Sequence, residues 1–167
     1  MTRLGLPLRP YLPTDAMALR ELFAQSIYEL TAEEYDEDQR VAWAATAEDA
    51  DAFAARLAAL TTIVIEVDGE HLGFAALKGS NHFEDLFVHP WYAGEGVGTA
   101  LADAVEALAK GRGATEITVE ASETAEPFFK ARGYKATERR SVERFGEWLT
   151  HWAMKKSLGE TAEGKRP

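Results

Sequence analysis

Apolar residues in the first third of the chain recur every three or four positions. Between residues 19 and 30 this spacing predicts a helix, with Thr14 as its N-cap. An acidic stretch at 33–39 predicts the start of a second, short helix. Thr46, followed by an aspartate three residues later, is the predicted N-cap of a third helix that continues to Leu60.

The pattern changes to strands after residue 60. Arg3–Leu12 is already expected to form a short edge strand because prolines interrupt it. Thr62–Val67 is a continuous apolar run, and Asp68-Gly69 is typical of a hairpin turn. His71–Lys78 and His82–Val88 are the predicted next strands, which gives three antiparallel strands in sequence.

The remaining elements alternate between helix and strand. Val97–Leu108 has helical spacing and ends at a glycine pair, and Thr115–Glu120 alternates as a strand does. Ala125–Arg132 predicts a short helix closed by a glycine. Tyr134–Val142 and Trp148–Met154 predict a closing hairpin. Helices, then a meander, then a β-α-β unit indicate one mixed α/β architecture.

The chain length fits one domain. We expect a single domain over residues 1–157 of the 167, followed by a polar, disordered tail at 158–167. Met1–Pro10 has no apolar core of a secretory signal, and no stretch has the length of a membrane span. We therefore expect a cytoplasmic protein with no membrane partner.

Composition excludes several kinds of chemistry. The absence of cysteine excludes disulfides, a thiolate zinc site and a cysteine nucleophile, and we predict no metal. The formal net charge of −10 repels phosphate backbones, so no nucleic-acid partner is expected. The same charge favours a cationic substrate such as an amine, although it also serves solubility.

The glycine-rich segment Leu86–Thr99 is the most informative part of the sequence. Gly94, Gly96 and Gly98 lie between a predicted strand and a predicted helix, where bare backbone can approach a ligand. Successive N–H groups at a helix start form a cradle suited to a pyrophosphate. No lysine follows the glycines as a Walker loop requires, and the loop comes too late in the chain for a dinucleotide fold.

At these residues the sequence resembles the GCN5-related N-acetyltransferases. Leu86–Pro90 matches the family's Leu-x-Val-x-Pro strand, and Gly96-Val97-Gly98 matches its central glycine motif. Ala125–Tyr134 follows the later motif with two aromatic changes. The resemblance implies an α+β fold with a mixed, mostly antiparallel twisted sheet of six to seven strands. It also implies helices on both faces and a parallel pairing of strands 4 and 5.

The resemblance implies acetyl-CoA as cosubstrate, with coenzyme A as product. The residues expected to hold it are Leu86, Phe87, Val88, Ala93, Gly94, Glu95, Gly96, Val97, Gly98, Thr99, Ser122, Phe128 and Phe129. Ala93 replaces the family's usual glutamine or arginine, and Glu95 replaces a frequent arginine or lysine. Each change removes a polar group that would favour the pyrophosphate, and the like charge of Glu95 costs about 1 kcal/mol when exposed. We therefore expect the pyrophosphate to be bound mainly by backbone N–H groups.

The implied reaction is direct attack of a primary amine on the thioester, which needs a general base. Glu84 and Asp85 are the catalytic candidates, and strand alternation allows only one of them to face the cleft. We favour Glu84 because the resemblance implies an acidic base on this strand. His82 and His89 are secondary candidates. Many relatives have a tyrosine general acid where this chain has Phe129, so the thiolate leaves unaided or another group, Tyr134 or water, serves.

The acceptor is predicted to be a small-molecule or peptide amine of unknown identity. The substrate-binding residues expected from the family's pocket are Tyr28 and Trp43, with Tyr35 and Trp148 in the same regions. A catalytically degenerate acyl-CoA-binding or interaction module is the alternative function, and a homodimer is left open.

Overall fold

The computed structural model describes residues 5–159, which form five helices and seven strands. The helices are Ala16–Leu30 (α1), Glu37–Ala44 (α2), Ala50–Ala59 (α3), Val97–Gly111 (α4) and Glu126–Ala131 (α5). The strands are Leu8–Pro10 (β1), Thr61–Val67 (β2), Glu70–Lys78 (β3), His82–Val88 (β4), Glu116–Ser122 (β5), Lys135–Arg144 (β6) and Glu147–Ser157 (β7).

All seven strands form one sheet in the order β1-β2-β3-β4-β5-β7-β6. Every neighbouring pair is antiparallel except β4 and β5, which are parallel. The Asp68-Gly69 turn that joins β2 to β3 has positive φ at both residues, 51° and 82°, as a tight hairpin requires. The structure confirms the predicted fold class, including the parallel pair.

Helices cover both faces of the sheet, as expected. The larger core lies between one face and helices α4 and α5, around Leu77, Leu101 and Phe129. The smaller core lies between the other face and helices α1 and α3, around Phe74 and Leu57. Successive side chains of each strand point to opposite faces of the sheet, so they are divided between the two cores. This division determines which side chains reach a site in the sheet.

A glycine in β3 determines where α4 begins. A methyl group at Gly73 would lie 2.9 Å from the carbonyl oxygen of Phe87 and 2.9 Å from Cγ1 of Val97. Without that methyl group, the first turn of α4 packs directly on the sheet. The glycine-rich loop before α4 is thereby held beside the end of β4.

Two predicted helix caps are wrong. Thr14 lies inside a 3₁₀ turn, and α1 starts after it at Ala16. Thr46 also lies in a 3₁₀ turn, where its hydroxyl donates to the Trp43 carbonyl. The N-cap of α3 is instead Asp49, whose carboxylate accepts from the N–H of Ala52. In both places an extra turn precedes the helix, which spacing alone does not reveal.

The ends of the chain differ from expectation where they are described. The predicted edge strand is shorter, Leu8–Pro10, and its first predicted residues, Arg3 and Leu4, lie outside the described residues. Leu158, assigned to the tail, is buried, and its N–H donates to the Thr115 carbonyl at 2.8 Å. The rest of that predicted tail, from Glu160, lies outside the described residues. Between residues 5 and 159, no helix is long and apolar enough to cross a membrane.

Candidate active site

Strands β4 and β5 pair only at their first residues and then separate. His82 pairs with Thr118 and Phe83 with Val119, and no further pair joins the two strands. The facing edges of β4 and β5 beyond these pairs are therefore free of ladder hydrogen bonds. An extended ligand can add to such an edge as a strand does.

A first cavity of about 600 Å³ occupies this gap and reaches the glycine-rich loop. The predicted cofactor residues that line it are Leu86, Phe87, Val88, Ala93, Gly94, Gly96, Gly98, Thr99, Ser122, Phe128 and Phe129. Glu95 and Val97 do not line it. The Val97 side chain is 2% exposed because it packs into the larger core, and Glu95 is exposed. Neither side chain is part of the cavity wall.

The glycine-rich loop presents N–H groups that lack partners. Within residues 5–159, the N–H groups of Gly94, Gly96 and Val97–Thr99 donate to no backbone or side-chain acceptor. Gly94 and Gly96 have φ of 79° and 89°, a conformation that glycine adopts without strain. Unpartnered N–H groups at the start of a 15-residue helix attract an anion through hydrogen bonds and the helix dipole.

The other groups that line the first cavity fit the same kind of ligand. No lysine or arginine from the described part of the chain lines it, so the loop N–H groups are its main attraction for phosphate. The hydroxyl of Thr124 is buried and has no hydrogen-bond partner among the described residues. It lines the cavity and is available to a polar ligand.

A second cavity of about 660 Å³ lies on the α1 and α3 side of the gap. Aromatic residues supply much of its wall, and charged residues from α3, β4, β5 and β6 also line it. Six residues line both cavities: Trp43, Glu84, Asp85, Phe87, Glu120 and Ser122. The two cavities therefore meet at β4, and a ligand in one can reach a ligand in the other.

The prediction that only one of Glu84 and Asp85 can face the cleft is wrong. Leu77 of β3 pairs with Phe83, whereas the residue before it, Ala76, pairs with Asp85. Glu84 is the extra residue of a β-bulge, where strict alternation of side chains is lost. Both carboxylates consequently line both cavities.

Glu84 has a histidine as its neighbour. Nε2 of His82 lies 3.3 Å from Oε2 of Glu84, and Nδ1 of His82 lies 2.8 Å from the Thr118 hydroxyl. The Glu84 side chain is 31% exposed, so it can exchange protons with solvent. In the tautomer whose Nδ1–H donates to Thr118, Nε2 carries no proton and can accept one from Glu84.

Asp85 is fixed by an arginine. Nη1 of Arg56 donates to Oδ2 of Asp85 at 2.6 Å, and the aspartate is buried. Burial raises the pKa of Asp85 above its ordinary value, and the Arg56 charge opposes that rise. Asp85 is thus part of an ion pair with an arginine of α3.

A third carboxylate, which sequence reasoning missed, completes the site. Glu120 of β5 lines both cavities, and two side chains hold it: Nη1 of Arg140 at 2.5 Å and Nε2 of His151 at 2.9 Å. These contacts come from the β6–β7 hairpin. No local pattern predicts these contacts, because they depend on the long-range register of the strands.

The residues predicted to bind the acceptor lie in different parts of the structure. Trp43 lines both cavities, whereas Tyr28 lies on the outer side of α1, lines neither cavity and is 40% exposed. Tyr28 is therefore not at the site. Tyr35 lines the second cavity, where its hydroxyl donates to the Thr150 carbonyl and accepts from the Glu123 N–H. Burial raises the pKa of Tyr35 to about 12.

The secondary catalytic candidates His89 and Tyr134 line neither cavity. His89 caps a 3₁₀ turn by accepting from the Trp91 N–H. Tyr134 is buried, and its hydroxyl donates to Glu106 at 2.9 Å. Burial and the Glu106 charge raise the pKa of Tyr134 above its ordinary value, so it remains a neutral core residue.

A mixed sheet whose two parallel strands part beside a glycine-rich helix start is the architecture of an acetyltransferase that uses an acyl-CoA. The comparisons with known proteins agree. A family model described as an acetyltransferase (GNAT) domain matches residues 31–158, and the chain belongs to this family of N-acetyltransferases.

Individual relatives cover nearly the whole chain. The uncharacterized N-acetyltransferase YafP of Escherichia coli (strain K12) is 30% identical over 151 residues, which are 90% of this chain and 95% of YafP. The solved structure of a GCN5-related N-acetyltransferase from Rhodopseudomonas palustris is 49% identical, with a TM-score of 0.89. The match covers 91% of this chain and 95% of that one.

A more distant structure shares the fold. PaiA N-acetyltransferase from Thermoplasma acidophilum, solved in complex with coenzyme A, has a TM-score of 0.74 at 16% identity. The match covers 92% of this chain and 99% of that one. None of these comparisons supports the alternative of a catalytically degenerate module.

Proposed function

We propose that this protein transfers the acetyl group of acetyl-CoA to a primary amine, with Glu84 as the general base. The observation that carries the proposal is the position of Glu84 where the two cavities meet. The first cavity has the free strand edge and the N–H cradle that suit an acyl-CoA. The second cavity then receives the acceptor, so its amine arrives beside Glu84.

The amine must lose a proton before it can attack. A lysine-like amine with a pKa of about 10.4 is neutral in roughly one molecule in a few thousand at pH 7, which adds about 4–5 kcal/mol to the barrier. Glu84 accepts that proton as the nitrogen attacks the thioester carbonyl carbon. His82 can then take the proton from Glu84, because its Nε2 lies 3.3 Å away.

Glu84 suits this role better than the two other carboxylates that line both cavities. Asp85 is 7% exposed, and the Arg56 guanidinium occupies one of its oxygens. Glu120 is held by Arg140 and His151. The guanidinium groups of Arg56 and Arg140 occupy oxygens of these two carboxylates, whereas Glu84 contacts only a histidine and its oxygens remain open to an amine.

The leaving group needs no acid from the protein. When the C–S bond breaks, the sulfur departs as a thiolate, and a thiol has a pKa of about 8.5, so the thiolate is a good leaving group. Phe129 lines the first cavity where many relatives have a tyrosine, and it has no proton to donate. The thiolate therefore collects its proton from water.

The test combines binding and turnover. Calorimetry with acetyl-CoA measures occupancy of the first cavity, and detection of free thiol measures transfer to amines from a panel of polyamines, amino acids, amino sugars and peptides. We expect acetyl-CoA to bind and at least one amine to be acetylated. Tight binding of acetyl-CoA without acetylation of any amine would contradict the proposal.

A further inference from the structure

The charged groups of the second cavity point to the chemistry of the acceptor. Resting on the proposed function, we propose that the acceptor amine also carries a carboxylate, and that Arg56 and Arg144 bind this carboxylate. The second cavity then holds both ends of one molecule: its amine at Glu84 and its anionic end at the two guanidinium groups.

Arg56 is a guanidinium held in place with donors to spare. Its Nη1 donates to Asp85, and its Cζ lies 5.7 Å from the ring centroid of Phe53. Within residues 5–159, its Nε and Nη2 donate to no acceptor. The side chain is 39% exposed and lines the second cavity. A fixed guanidinium with free N–H groups suits a planar carboxylate.

Stability alone does not account for the pair of Arg56 and Asp85. Burying a carboxylate costs several kcal/mol, which its partner charge offsets only in part. Apolar residues of similar size often stabilise such a position equally well or better. Asp85, however, fixes the direction of the Arg56 guanidinium beside the cavity, and this is useful when the guanidinium binds a ligand.

Arg144, at the end of β6, adds a second guanidinium. Its Nη1 donates to the neighbouring carbonyl of Glu143, and no carboxylate of the described residues lies within 4.0 Å of it. The three carboxylates that line the cavity each have a cationic or histidine partner already. Among the described residues, Arg144 therefore adds to the cavity wall a positive charge that has no carboxylate partner.

The remaining walls of the second cavity indicate the chemistry of the rest of the acceptor. Between the charged groups the cavity is lined by the rings of Phe23, Tyr35, Trp43, Phe53 and Phe87. Its volume of about 660 Å³ is in the range of small-molecule sites. An amino acid with an apolar or aromatic side chain combines the amine, the carboxylate and the apolar surface that these walls accommodate.

Matched ligands test the inference. Phenylalanine is compared with phenylalaninamide and 2-phenylethylamine, and 6-aminohexanoate with hexylamine, because the members of each set differ at the carboxylate. This difference also changes the pKa of the α-amine, so rates are compared per neutral amine. Values of kcat/KM with acetyl-CoA are measured for the intact protein, and calorimetry measures binding of each ligand to the protein loaded with coenzyme A. We expect a carboxylate preference of about tenfold or more in at least one set.

Two variants test whether the carboxylate preference depends on Arg144 and Arg56. Arg144→Gln removes the exposed guanidinium, and Arg56→Lys keeps a cation for Asp85 while it removes the planar fork. Each is expected to reduce the preference to within about threefold. Lys135→Gln is the matched control, because it removes a charge from the same strand outside both cavities. Thermal unfolding confirms that each variant folds.

The outcomes separate this inference from the proposed function. Equal binding of acid and amide, or a preference unchanged in both arginine variants, overturns the carboxylate subsite. Acetylation restricted to amines without a carboxylate overturns the subsite and leaves the transferase standing. A preference in binding that both variants lose, without any acetylation, supports the subsite and contradicts the transferase.

Discussion

Nε2 of His82 lies 3.3 Å from Oε2 of Glu84, and Glu84 borders both cavities. Glu84→Gln removes the proton acceptor and keeps the side chain's shape. We expect kcat/KM at pH 7 to fall by about 10²–10⁴-fold. The loss should shrink towards pH 9–10, because more of the amine is then neutral without help. Rates measured from pH 6 to pH 10 check this prediction.

The control for Glu84→Gln is Glu116→Gln, which neutralises an exposed carboxylate of β5 that lines neither cavity. Its pH profile should match that of the wild-type protein. The affinity for acetyl-CoA, measured by calorimetry, should be the same in all three proteins. An unchanged profile in Glu84→Gln would reject Glu84 as the base.

Ala93 allows a gain in cofactor affinity. It lines the first cavity, where no lysine or arginine of the described chain is found, so Ala93→Arg adds a cation near the proposed pyrophosphate. We expect the Kd for acetyl-CoA to fall by about two- to fivefold at low salt, since an exposed charge contact contributes at most about 1 kcal/mol. The gain should diminish in 0.5 M salt. Ala55→Arg, an exposed change on α3, should leave Kd unaltered.

Gly73 is expected to tolerate no side chain. Gly73→Ala places a methyl group 2.9 Å from Val97 and from the Phe87 carbonyl, so α4 must move away from the sheet. We expect a loss of about 1–3 kcal/mol in the free energy of unfolding, together with weaker acetyl-CoA binding. Gly111→Ala at the end of α4 meets open space and should be neutral or slightly stabilising. Equal stability of the two variants in denaturant would contradict this.

Asp15 is expected to control stability in acid. Burial raises its pKa, but hydrogen bonds from Arg9 at 2.7 and 2.8 Å, from His71 and from the Leu12 N–H outweigh burial, so its pKa lies well below the ordinary value. A carboxyl with a lowered pKa stabilises the fold above its unfolded-state pKa of about 3.9. That contribution declines as the pH falls below this value.

Asp15→Asn therefore should lower the free energy of unfolding at pH 7 by about 2–3 kcal/mol. The difference from the wild-type protein should stay constant down to about pH 5 and shrink below pH 4. Urea unfolding at each pH measures it. The exposed Asp51→Asn is the control and should change stability by less than about 0.5 kcal/mol. A difference that grows in acid would refute the assignment.

Local patterns predicted most of the helices and strands, since spacing and turn chemistry act over a few residues, whereas the parallel pairing of β4 and β5 was implied by the family resemblance. The Asp68-Gly69 hairpin and the apolar face of α4 are examples. The bulge at Glu84 was not predictable, because it depends on the register between β3 and β4. The role of Arg56 was not predictable either, because it is one arginine among alanines and its position depends on Asp85, 29 residues away.

The short pairing of β4 with β5 gives the sheet a gap that the chain itself does not fill. In the proposed complex the cosubstrate fills it with a backbone of its own, so the ligand acts as a removable strand. Binding then couples to folding: acetyl-CoA at 100 times its Kd adds about 2.7 kcal/mol to the stability of the folded state. Release of coenzyme A reopens the sheet, and each turnover takes the protein between a continuous and a divided sheet.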